Sequence, residues 1–587
     1  MIRRLLPHAL IAGLAAALLT ACAVSARQHD APATSAAPAT ASAGMVAAAN
    51  PLAAQAGLDV LKRGGTAVDA AVAIQAVLSL VEPQSSGVGG GAFMVHYDGR
   101  TGAVTAWDGR ETAPAGATED MFLGADGKPL PYREAVVSGR ATGVPGAIAM
   151  LAQAQGEHGR LPWNSLFEAG KRHAREGFVV SPRLSKFINS NGAQQAQPDV
   201  RAYFTEADGT LMEAGDRLAN PAYAETLEAI AADPRALYEG PLAEQVAART
   251  RQAPLPGTLT AADLAAYRPR SAAALCRPWK VYRLCTTPPP SSGVSVLQGL
   301  LMLERTPAIR GGASSADAWL AFVEASRLMY ADRDRWVADP AFVDVPVEGL
   351  LSPAYVARRA ALIGPRFAAT VEAGTPPGAP ARIAADRTLE PAGTSHFVVV
   401  DRWGNAVSMT TTVESIFGTG RMVGGFFLNN QLTDFSFSPA EADGRRAANA
   451  VAPGKRPRSS MSPIIVLDRQ GRFVAALGSP GGSAILAYNL KTAVGLFEWN
   501  LGPQAAIDLP NVIARGNSVG GEAAKLPPQI ITALSERGVT IKPGAGEESG
   551  LHAVVRRGGQ LEGGADPRRE GVVLGEQVPA MPASAGA

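Results

Sequence analysis

The apolar positions of this chain first follow a helical period. Over residues 50–81 they predict helix, interrupted by the glycine pair at 64–65, and from Ile74 onward they recur at i, i+3, i+4 and i+7. Alternating stretches at residues 92–97 and 103–108 then predict two strands joined by a short turn. This part of the chain is therefore predicted to place paired helices beside a β-hairpin.

A long helical region separates that hairpin from a β-rich C-terminal part. Residues 113–391 consist mainly of helical segments rich in Ala and Leu, divided by Pro and Gly. Residues 395–401 and 406–412 then predict a second hairpin, with Trp403 near its turn. Near residue 393 the hydrophobic pattern changes from a mainly helical period to a mainly β-strand period, which is the main change of predicted secondary structure along the chain.

A third hairpin and a helix follow. Residues 464–468 and 472–478 predict its strands, and residues 484–497 predict the helix. Strand pairs set between helical blocks are typical of stacked sheets covered by helices. If the second hairpin turns midway, its register places Thr412 opposite Thr394, within about one residue.

The N-terminus has the features of an export signal. Two arginines precede a short apolar stretch at residues 5–19, and we predict a signal peptide over residues 1–22. The stretch ends in Leu-Thr-Ala-Cys22, which resembles a bacterial lipobox, whose Cys is lipidated. Ordinary signal cleavage nearby is the alternative. Residues 23–44, rich in Ala, Ser, Thr and Pro, predict a tether.

Composition excludes some functions and allows a disulfide. Of 587 residues, 47% are hydrophobic and 18% are charged, and the formal net charge is +2, which indicates a globular protein and no nucleic-acid partner. Seven His without paired spacing and three Cys give no support for a metal site. Export allows a disulfide between Cys276 and Cys285; two unpaired buried thiols are the alternative.

Gly393 and Thr394 stand at the head of the second hairpin and are the candidates for chemistry. A hydroxyl is a weak nucleophile until a base takes its proton. If the chain is cut before Thr394, the new α-amine supplies that base, and Gly393 offers an unhindered carbonyl for the cut itself. Thr412 could orient the Thr394 hydroxyl, although a plain turn and a Thr-rich strand are the alternative. His396, on the same strand face as Thr394, is predicted to be a hydrogen-bonded structural residue.

A second glycine pair, Gly481 and Gly482, directly precedes the helix at residues 484–497. Its backbone N–H groups could converge with the positive end of the helix on a developing oxyanion. The alternative is a tight strand-to-helix turn. A nucleotide-binding loop is excluded, because the glycines at 87–91 and 478–482 lack the required spacing and Lys.

Eight short segments have unusual and specific compositions. In chain order they are 82–87 (EPQSSG), 108–114 (DGRETAP), 288–293 (PPPSSG), 394–396 (TSH), 429–436 (NNQLTDFS), 455–463 (KRPRSSMSP), 478–482 (GSPGG) and 565–568 (ADPR). Together they resemble the γ-glutamyltransferases over about residues 45–572. The resemblance implies an α+β fold: a four-layer αββα sandwich of the N-terminal nucleophile hydrolase type. Self-cleavage before Thr394 would give a large subunit, residues 45–393, and a small subunit, residues 394–587, sharing one fold.

The resemblance also implies a donor site. Arg110, Ser459 and Ser460 would bind the α-carboxylate of a γ-glutamyl donor, since a guanidinium fork suits a carboxylate. Gln431 and Asp434 would hold its α-ammonium. Binding both the α-carboxylate and the α-ammonium of the donor would position its γ-carbonyl for attack.

The remaining implied roles surround the reacting atoms. Thr412 would support the nucleophile, and Gly481 and Gly482 would receive the oxyanion. Two positions depart from the family pattern. Glu414 stands at an ammonium-binding position where the family commonly has Asn, which makes the site more acidic or signals a different donor. The segment 435–457 is shorter than in members with a lid and has no Tyr, which predicts a more open site.

The expected reaction needs no cofactor. Thr394 would attack a γ-glutamyl amide such as glutathione, and the resulting ester would pass the γ-glutamyl group to water or to an amino acid or peptide. One rival is a related acylase that acts on glutaryl or β-lactam side chains, which lack the α-ammonium. Another is a non-catalytic envelope protein that keeps the fold and remains one chain. Membrane contact is expected through the lipid anchor only.

Overall fold

The computed structural model describes residues 39–41, 43–381, 383–386, 388, 390–391, 393–441, 444–544 and 548–576. The predicted signal peptide, Cys22 and residues 23–38 lie outside the described residues. Within them, no helix has both the length and the apolar character needed to cross a membrane.

The first of two large sheets has seven strands, and each neighbouring pair is antiparallel. Residues 394–400 and 406–412 form its centre, so the predicted second hairpin exists and is flanked by strands on both sides. We call these two strands the central hairpin. The strand order is Val572–Glu576, Gly44–Ala48, Thr394–Val400, Ala406–Thr412, Gly91–Tyr97, Val104–Gly109 and Arg270–Ala273.

The second sheet also has seven antiparallel strands and includes the predicted third hairpin. Its order is Ala39–Ala41, Gln560–Ala565, His552–Arg557, Phe473–Gly478, Ile464–Leu467, Tyr282–Thr286 and Leu275–Trp279. Smaller sheets are formed by Phe178–Val179 with Arg217–Leu218, Ile383–Ala384 with Arg446–Ala447, Met422–Val423 with Phe426–Phe427, and Val512–Arg515 with Ser518–Gly521 and Lys542–Pro543.

Helices cover the outer faces of both sheets. Those on the first sheet's side include Pro51–Lys62, Ala67–Val81, Ala147–His158, Glu168–Glu176 and Pro221–Ala232. Those on the second sheet's side include Gly293–Glu304, Ala316–Trp336, Pro353–Ala360, Ile485–Phe497, Pro503–Asp508 and Pro528–Glu536. Shorter helices are Tyr132–Ala135, Pro182–Ile188, Pro198–Tyr203, Pro241–Thr250, Ala261–Ala266 and Val347–Leu350, with 3₁₀ turns at Gly139–Ala141, Trp163–Leu166, Pro307–Gly311, Gln431–Asp434, Gly482–Ala484 and Ala523–Lys525.

The interruption predicted in the first helical pattern is confirmed. The first helix ends at Lys62, and Gly64 then adopts a φ of +85°, which glycine tolerates without strain. Thr66 begins the second helix with a capping box, in which its hydroxyl accepts from the Asp69 N–H and the Asp69 carboxylate accepts from the Thr66 N–H.

Strand alternation produces the layered core. Phe397 and Val399 of the central hairpin pack with the first helical layer. Val398 and Val400 point the other way and pack between the two sheets with residues such as Ile465. The predicted αββα sandwich is therefore present, with one apolar layer between the sheets and one under each helical layer.

The turn of the central hairpin sets its register. One Asp401 carboxylate oxygen accepts the N–H groups of Trp403 and Asn405 at 2.9 Å, and Gly404 adopts a φ of +81°. Thr394 then pairs directly with Thr412, as the sequence predicts.

The second sheet also contains a disulfide and an additional edge strand. Cys276 and Cys285 are direct cross-strand partners and are joined by a disulfide with an S–S distance of 2.03 Å. Ala39–Ala41 lies within the segment predicted as a tether, but it adds a strand to the edge of the second sheet. Composition indicated a segment with little to bury, but main-chain hydrogen bonding to an available sheet edge needs no apolar side chains.

Candidate active site

Thr394 is the first residue of its strand, and its side chain points between the two sheets. Its hydroxyl donates to the Thr412 hydroxyl at 3.1 Å. The Thr412 hydroxyl in turn donates to the carbonyl of Gly393 at 2.7 Å and accepts the N–H of Glu414 at 2.7 Å. A hydrogen-bonded path therefore runs from the Thr394 hydroxyl to the carbonyl oxygen just before it.

Glycine at position 393 is required by close packing. A Cβ there would lie less than 3 Å from main-chain atoms of Glu414 and Ser415. The peptide before Thr394 is thus pressed against the end of the partner strand, where Thr412 reaches its carbonyl.

Gly481 and Gly482 form the turn that the sequence places before a helix. Their φ values are +132° and +54°, a region that favours glycine. The turn leads through Gly482–Ala484 into the helix Ile485–Phe497, and Gly482 lines the same pocket as Thr394. Gly482 therefore lies at the same pocket as Thr394, and Gly481 directly precedes it.

Glu414, Gln431 and Asp434 line this pocket together. The Gln431 amide donates to Asp434 Oδ2 at 2.6 Å, and the Asn430 amide donates to Glu414 Oε2. Glu414 Oε1, Gln431 Oε1 and Asp434 Oδ1 are buried and have no hydrogen-bond partner. These three oxygens can accept the N–H groups of one ammonium ion, which would replace the hydrogen bond between the Glu414 and Asp434 carboxyl groups.

The two carboxyl groups affect each other's ionisation. Burial and the neighbouring Asp434 raise the pKa of Glu414 well above its usual value. Burial raises the pKa of Asp434 to about 6, although Arg110 acts to lower it. Burial and their mutual repulsion therefore make both carboxyl groups harder to ionise than a free carboxyl group.

Glu414 also has a strained backbone. Its φ is +82°, which costs a residue with a Cβ roughly 1–3 kcal/mol. Such strain concentrates at functional sites, where the surrounding structure enforces it.

Arg110 is buried and firmly held. Its guanidinium lies 2.5 Å from Asp434 Oδ2 and donates to the carbonyls of Pro457 at 3.1 Å and Arg458 at 2.7 Å. Ser459 and Ser460 line the same pocket. The structure thus brings together the three residues predicted to bind a carboxylate and the three predicted to bind an ammonium.

His396 is a structural residue, as expected. Its Nδ1 lies 2.9 Å from the Thr410 hydroxyl across the hairpin, and its ring fills the space over Gly478 of the second sheet. Burial, with His552 nearby, lowers its pKa well below the usual value, so the ring is neutral.

A buried network under the nucleophile strand was not assigned from the sequence. Glu82 accepts the Ser395 hydroxyl at 2.6 Å and pairs with Arg183 at 3.1 Å, and Arg569 donates to the Thr394 carbonyl at 2.7 Å. Glu82 lies in one of the specific segments and Arg569 directly follows another, but the sequence does not indicate which residues they contact. No sequence pattern around Arg183 indicates that it belongs to this network.

Fold and site together are those of an N-terminal nucleophile hydrolase, an enzyme class in which the residue that begins a central strand carries the chemistry. The chain belongs to the gamma-glutamyltranspeptidase family, whose model matches residues 53–576.

The similar proteins include some named glutathione hydrolases and others named acylases. The chain is 35% identical to a glutathione hydrolase proenzyme of Bacillus subtilis (strain 168) over 89% of this chain and 90% of that protein. It is 34% identical to an acylase ACY 1 proenzyme of Pseudomonas sp. (strain V22) over 89% and 91%. The crystal structure of cephalosporin acylase from Bacillus halodurans superposes with a TM-score of 0.80 at 28% identity, covering 94% of this chain and 99% of that one.

Proposed function

We propose that this chain is a self-processing γ-glutamyltransferase and glutathione hydrolase with Thr394 as its nucleophile. Cleavage of the Gly393–Thr394 bond would give subunits of residues 45–393 and 394–587. Support comes from the family membership, from the names of the relatives and from the position of Thr394 at the pocket.

Cleavage begins from the hydrogen bonds around Gly393. The Thr394 oxygen attacks the Gly393 carbonyl carbon, its proton passes to Thr412, and the Thr412 proton passes to the carbonyl oxygen. The C–N bond then breaks, the nitrogen takes a proton, and an ester joins Gly393 to the Thr394 side chain. The Thr394 α-amine is free from this point, and water then hydrolyses the ester to a Gly393 carboxylate and a free Thr394 hydroxyl.

Turnover uses the same oxygen with a new base. The α-amine of Thr394 takes the hydroxyl proton, and the oxygen attacks the γ-carbonyl of the donor. N–H groups of Gly481 and Gly482 stabilise the oxyanion. The amine product leaves with a proton, and water or the amine of an amino acid or peptide releases the γ-glutamyl group from the ester. No cofactor takes part in these steps.

The observation that carries the choice of donor is the set of unpartnered oxygens on Glu414, Gln431 and Asp434. A γ-glutamyl donor brings an α-ammonium that can donate to all three oxygens and places a positive charge between the two acidic side chains. A glutaryl group lacks this ammonium, so it would leave the buried Gln431 oxygen without a donor, at a cost of about 1–3 kcal/mol, and would gain nothing from the carboxyl pair. Arg110, Ser459 and Ser460 lie at the same pocket for the donor carboxylate.

The acylase relatives make glutaryl donors the relevant competitor. We expect kcat/KM for γ-glutamyl-p-nitroanilide to exceed that for glutaryl-p-nitroanilide by at least tenfold. A preference for the glutaryl compound would overturn the proposed donor class and favour an acylase.

The nucleophile is tested separately. Thr394→Ala is expected to leave one uncleaved chain without activity, whereas the unsubstituted protein gives two chains on a denaturing gel. Two chains in the variant would mean that another protease performs the cut.

We further propose that the protein is exported and held to a membrane through a lipid on Cys22. The lipobox-like sequence supports this, and a disulfide between Cys276 and Cys285 suits an oxidising compartment. Metabolic labelling with a palmitate analogue should mark the protein, and Cys22→Ala should remove the label. Unchanged labelling of that variant would contradict the anchor.

A further inference from the structure

Glu390, three residues before the proposed cleavage site, is buried in a cationic site. Its carboxylate lies 2.6 Å from Arg333 Nη2 and 3.1 Å from Arg458 Nη2, and it accepts the Ser460 hydroxyl. Both guanidinium groups are fully buried. Although burial opposes ionisation, the two arginines hold the pKa of Glu390 below its usual value, so the carboxylate is charged.

Glu390 also fills the donor pocket. Glu390 and Pro391 line it beside Thr394, and the free space left is about 20 Å³, room for about one water molecule. The Glu390 carbonyl accepts the Ser483 N–H at 3.1 Å, directly after the glycine turn. A γ-glutamyl group therefore cannot enter while Glu390 is in place.

The site that holds Glu390 needs an anion. Arg333 Nη2 donates both to Glu390 and to the Ser460 hydroxyl, each at 2.7 Å. Asp334 lies 3.1 Å from Arg333 Nη1 and 2.9 Å from Arg515 Nη2, and Asp386 lies 3.0 Å from Arg458. Arg515 also acts to lower the pKa of Glu390. Three arginines therefore face two aspartates, so if Glu390 leaves, one positive charge loses its counterpart and the Ser460 hydroxyl loses its acceptor, which is strongly destabilising.

Ser460 links this site to the donor, because it is also a residue expected to bind the donor carboxylate. Arg110, by contrast, is engaged by Asp434 and two main-chain carbonyls. The carboxylate of Glu390 thus shows which groups accept a carboxylate at this end of the pocket.

We propose that Glu390 is a tethered occupant of the donor-carboxylate subsite, and that Arg333, with Ser460, binds the donor's own carboxylate once the cleaved segment withdraws. This rests on the proposed γ-glutamyl donor. Arg333 is then a specificity-determining residue, and the uncleaved chain is closed to donors by its own side chain.

Occupancy can be tested on the full-length uncleaved chain by calorimetric titration with L-glutamate. Thr394→Ala alone should show no binding, because Glu390 occupies the pocket. Thr394→Ala with Glu390→Ala should bind L-glutamate measurably. Absence of binding in this double variant, when its unfolding temperature matches that of Thr394→Ala, would overturn the tethered-occupant proposal.

Specificity is tested by adding Arg333→Gln to the double variant. Affinity for L-glutamate should fall at least tenfold, while affinity for 4-aminobutyrate, which keeps the ammonium but lacks the α-carboxylate, should stay unchanged. Arg335→Gln is the matched control on the same helix, since Arg335 lies over the Trp336 ring; it should change neither affinity. An equal loss for both ligands would overturn the role of Arg333.

A kinetic variant covers the case in which Arg333→Gln does not fold. Arg333→Lys in the self-processing enzyme keeps the positive charge but loses the planar guanidinium that can bind a carboxylate with two hydrogen bonds. Its KM for γ-glutamyl-p-nitroanilide should rise at least tenfold, and its KM for 4-aminobutyryl-p-nitroanilide should not. If the unsubstituted enzyme turns over the γ-glutamyl donor but Arg333→Lys changes both KM values equally, this inference alone fails. If the unsubstituted enzyme prefers glutaryl-p-nitroanilide, the proposed function fails first.

Discussion

At the scale of single residues, Thr412 connects Thr394, the proposed nucleophile, to the Gly393 carbonyl of the proposed cleavage site. It accepts from Thr394 and donates to the Gly393 carbonyl, so it can both take the attacking proton and stabilise the new oxyanion. Thr412→Val keeps the shape but removes both roles, and we expect self-cleavage to slow by about 10²–10³-fold, as for loss of an oxyanion donor. The rate is measured on freshly synthesised protein as conversion of one band to two.

The adjacent hydroxyl offers a control for this experiment. Thr411 points to the other face of the strand and donates to the Gly91 carbonyl at 3.4 Å. Thr411→Val should leave the cleavage rate within about twofold of the unsubstituted protein. Equal slowing in both variants would show that the strand, rather than the Thr412 hydroxyl, was affected.

The carboxyl pair predicts how donor binding depends on pH. Burial raises the pKa of Asp434 to about 6 in the uncleaved chain, where Glu390 adds to the rise, so in the processed enzyme this group is ionised above pH 6 and becomes neutral below it. An ammonium binds the ionised form, so KM for γ-glutamyl-p-nitroanilide should be low above pH 6 and rise about tenfold per unit as pH falls below it.

Initial rates between pH 4.5 and 8 would measure this dependence, and Asp434→Asn provides the comparison. The variant lacks the titrating carboxylate, so its KM should be high and nearly independent of pH in this range. A KM for the unsubstituted enzyme that stays constant down to pH 4.5 would contradict the assignment of Asp434 to the ammonium.

At the scale of elements, the nucleophile is positioned by the contact between the two sheets. His396, two residues beyond Thr394, sits over Gly478 so closely that a Cβ there would overlap its ring. Gly478→Ala should therefore push the central hairpin away from the second sheet and destabilise the protein by about 1–3 kcal/mol. Because Thr394 shares this strand face, kcat should fall as well.

Urea unfolding and steady-state kinetics would measure both effects. Gly364→Ala is the matched control, because a Cβ at that position meets no atom within 4 Å. It should change neither the unfolding midpoint nor kcat. A Gly478→Ala variant with unchanged stability and kcat would mean that the sheets can separate slightly without moving Thr394.

Local pattern predicted the central hairpin well, and the reason is geometric. The period of its strands and the length of its turn are enough to align Thr394 with Thr412, and the Asp401 carboxylate holds that turn. The glycine turn at 481–482 was found for a similar reason, since the change from strand to helix period is visible in the sequence.

At the scale of the whole molecule, ion pairs between residues far apart in the chain could not be predicted from the sequence. Glu390 meets Arg333 and Arg458 across 57 and 68 positions. Arg458 stands in one of the specific segments, but nothing local in the sequence assigns these three residues to one site. Arg110 meets Asp434 across 324 positions, and only the resemblance to a family placed both at one site. Burial and mutual charge, which decide such contacts, are properties of the folded chain.

The distribution of strands between the proposed subunits has a consequence for assembly. Each large sheet combines strands from before Gly393 with strands from after it; in the first sheet Thr394–Val400 lies beside Gly44–Ala48. In the second, Ile464–Leu467 lies beside Tyr282–Thr286. Separating the two chains would break ladders in both sheets and expose all three apolar layers, so cleavage should leave one stable particle.

We therefore expect native mass spectrometry of the processed protein to show a species containing one copy of each chain, stable to dilution. The disulfide joins Cys276 to Cys285 within the large subunit, so it cannot link the two chains. A denaturing gel should accordingly show two bands with or without reductant. Dissociation on dilution would contradict the shared sheets, because it would break the ladder between Thr394–Val400 and Gly44–Ala48 and leave two sheet edges unpaired.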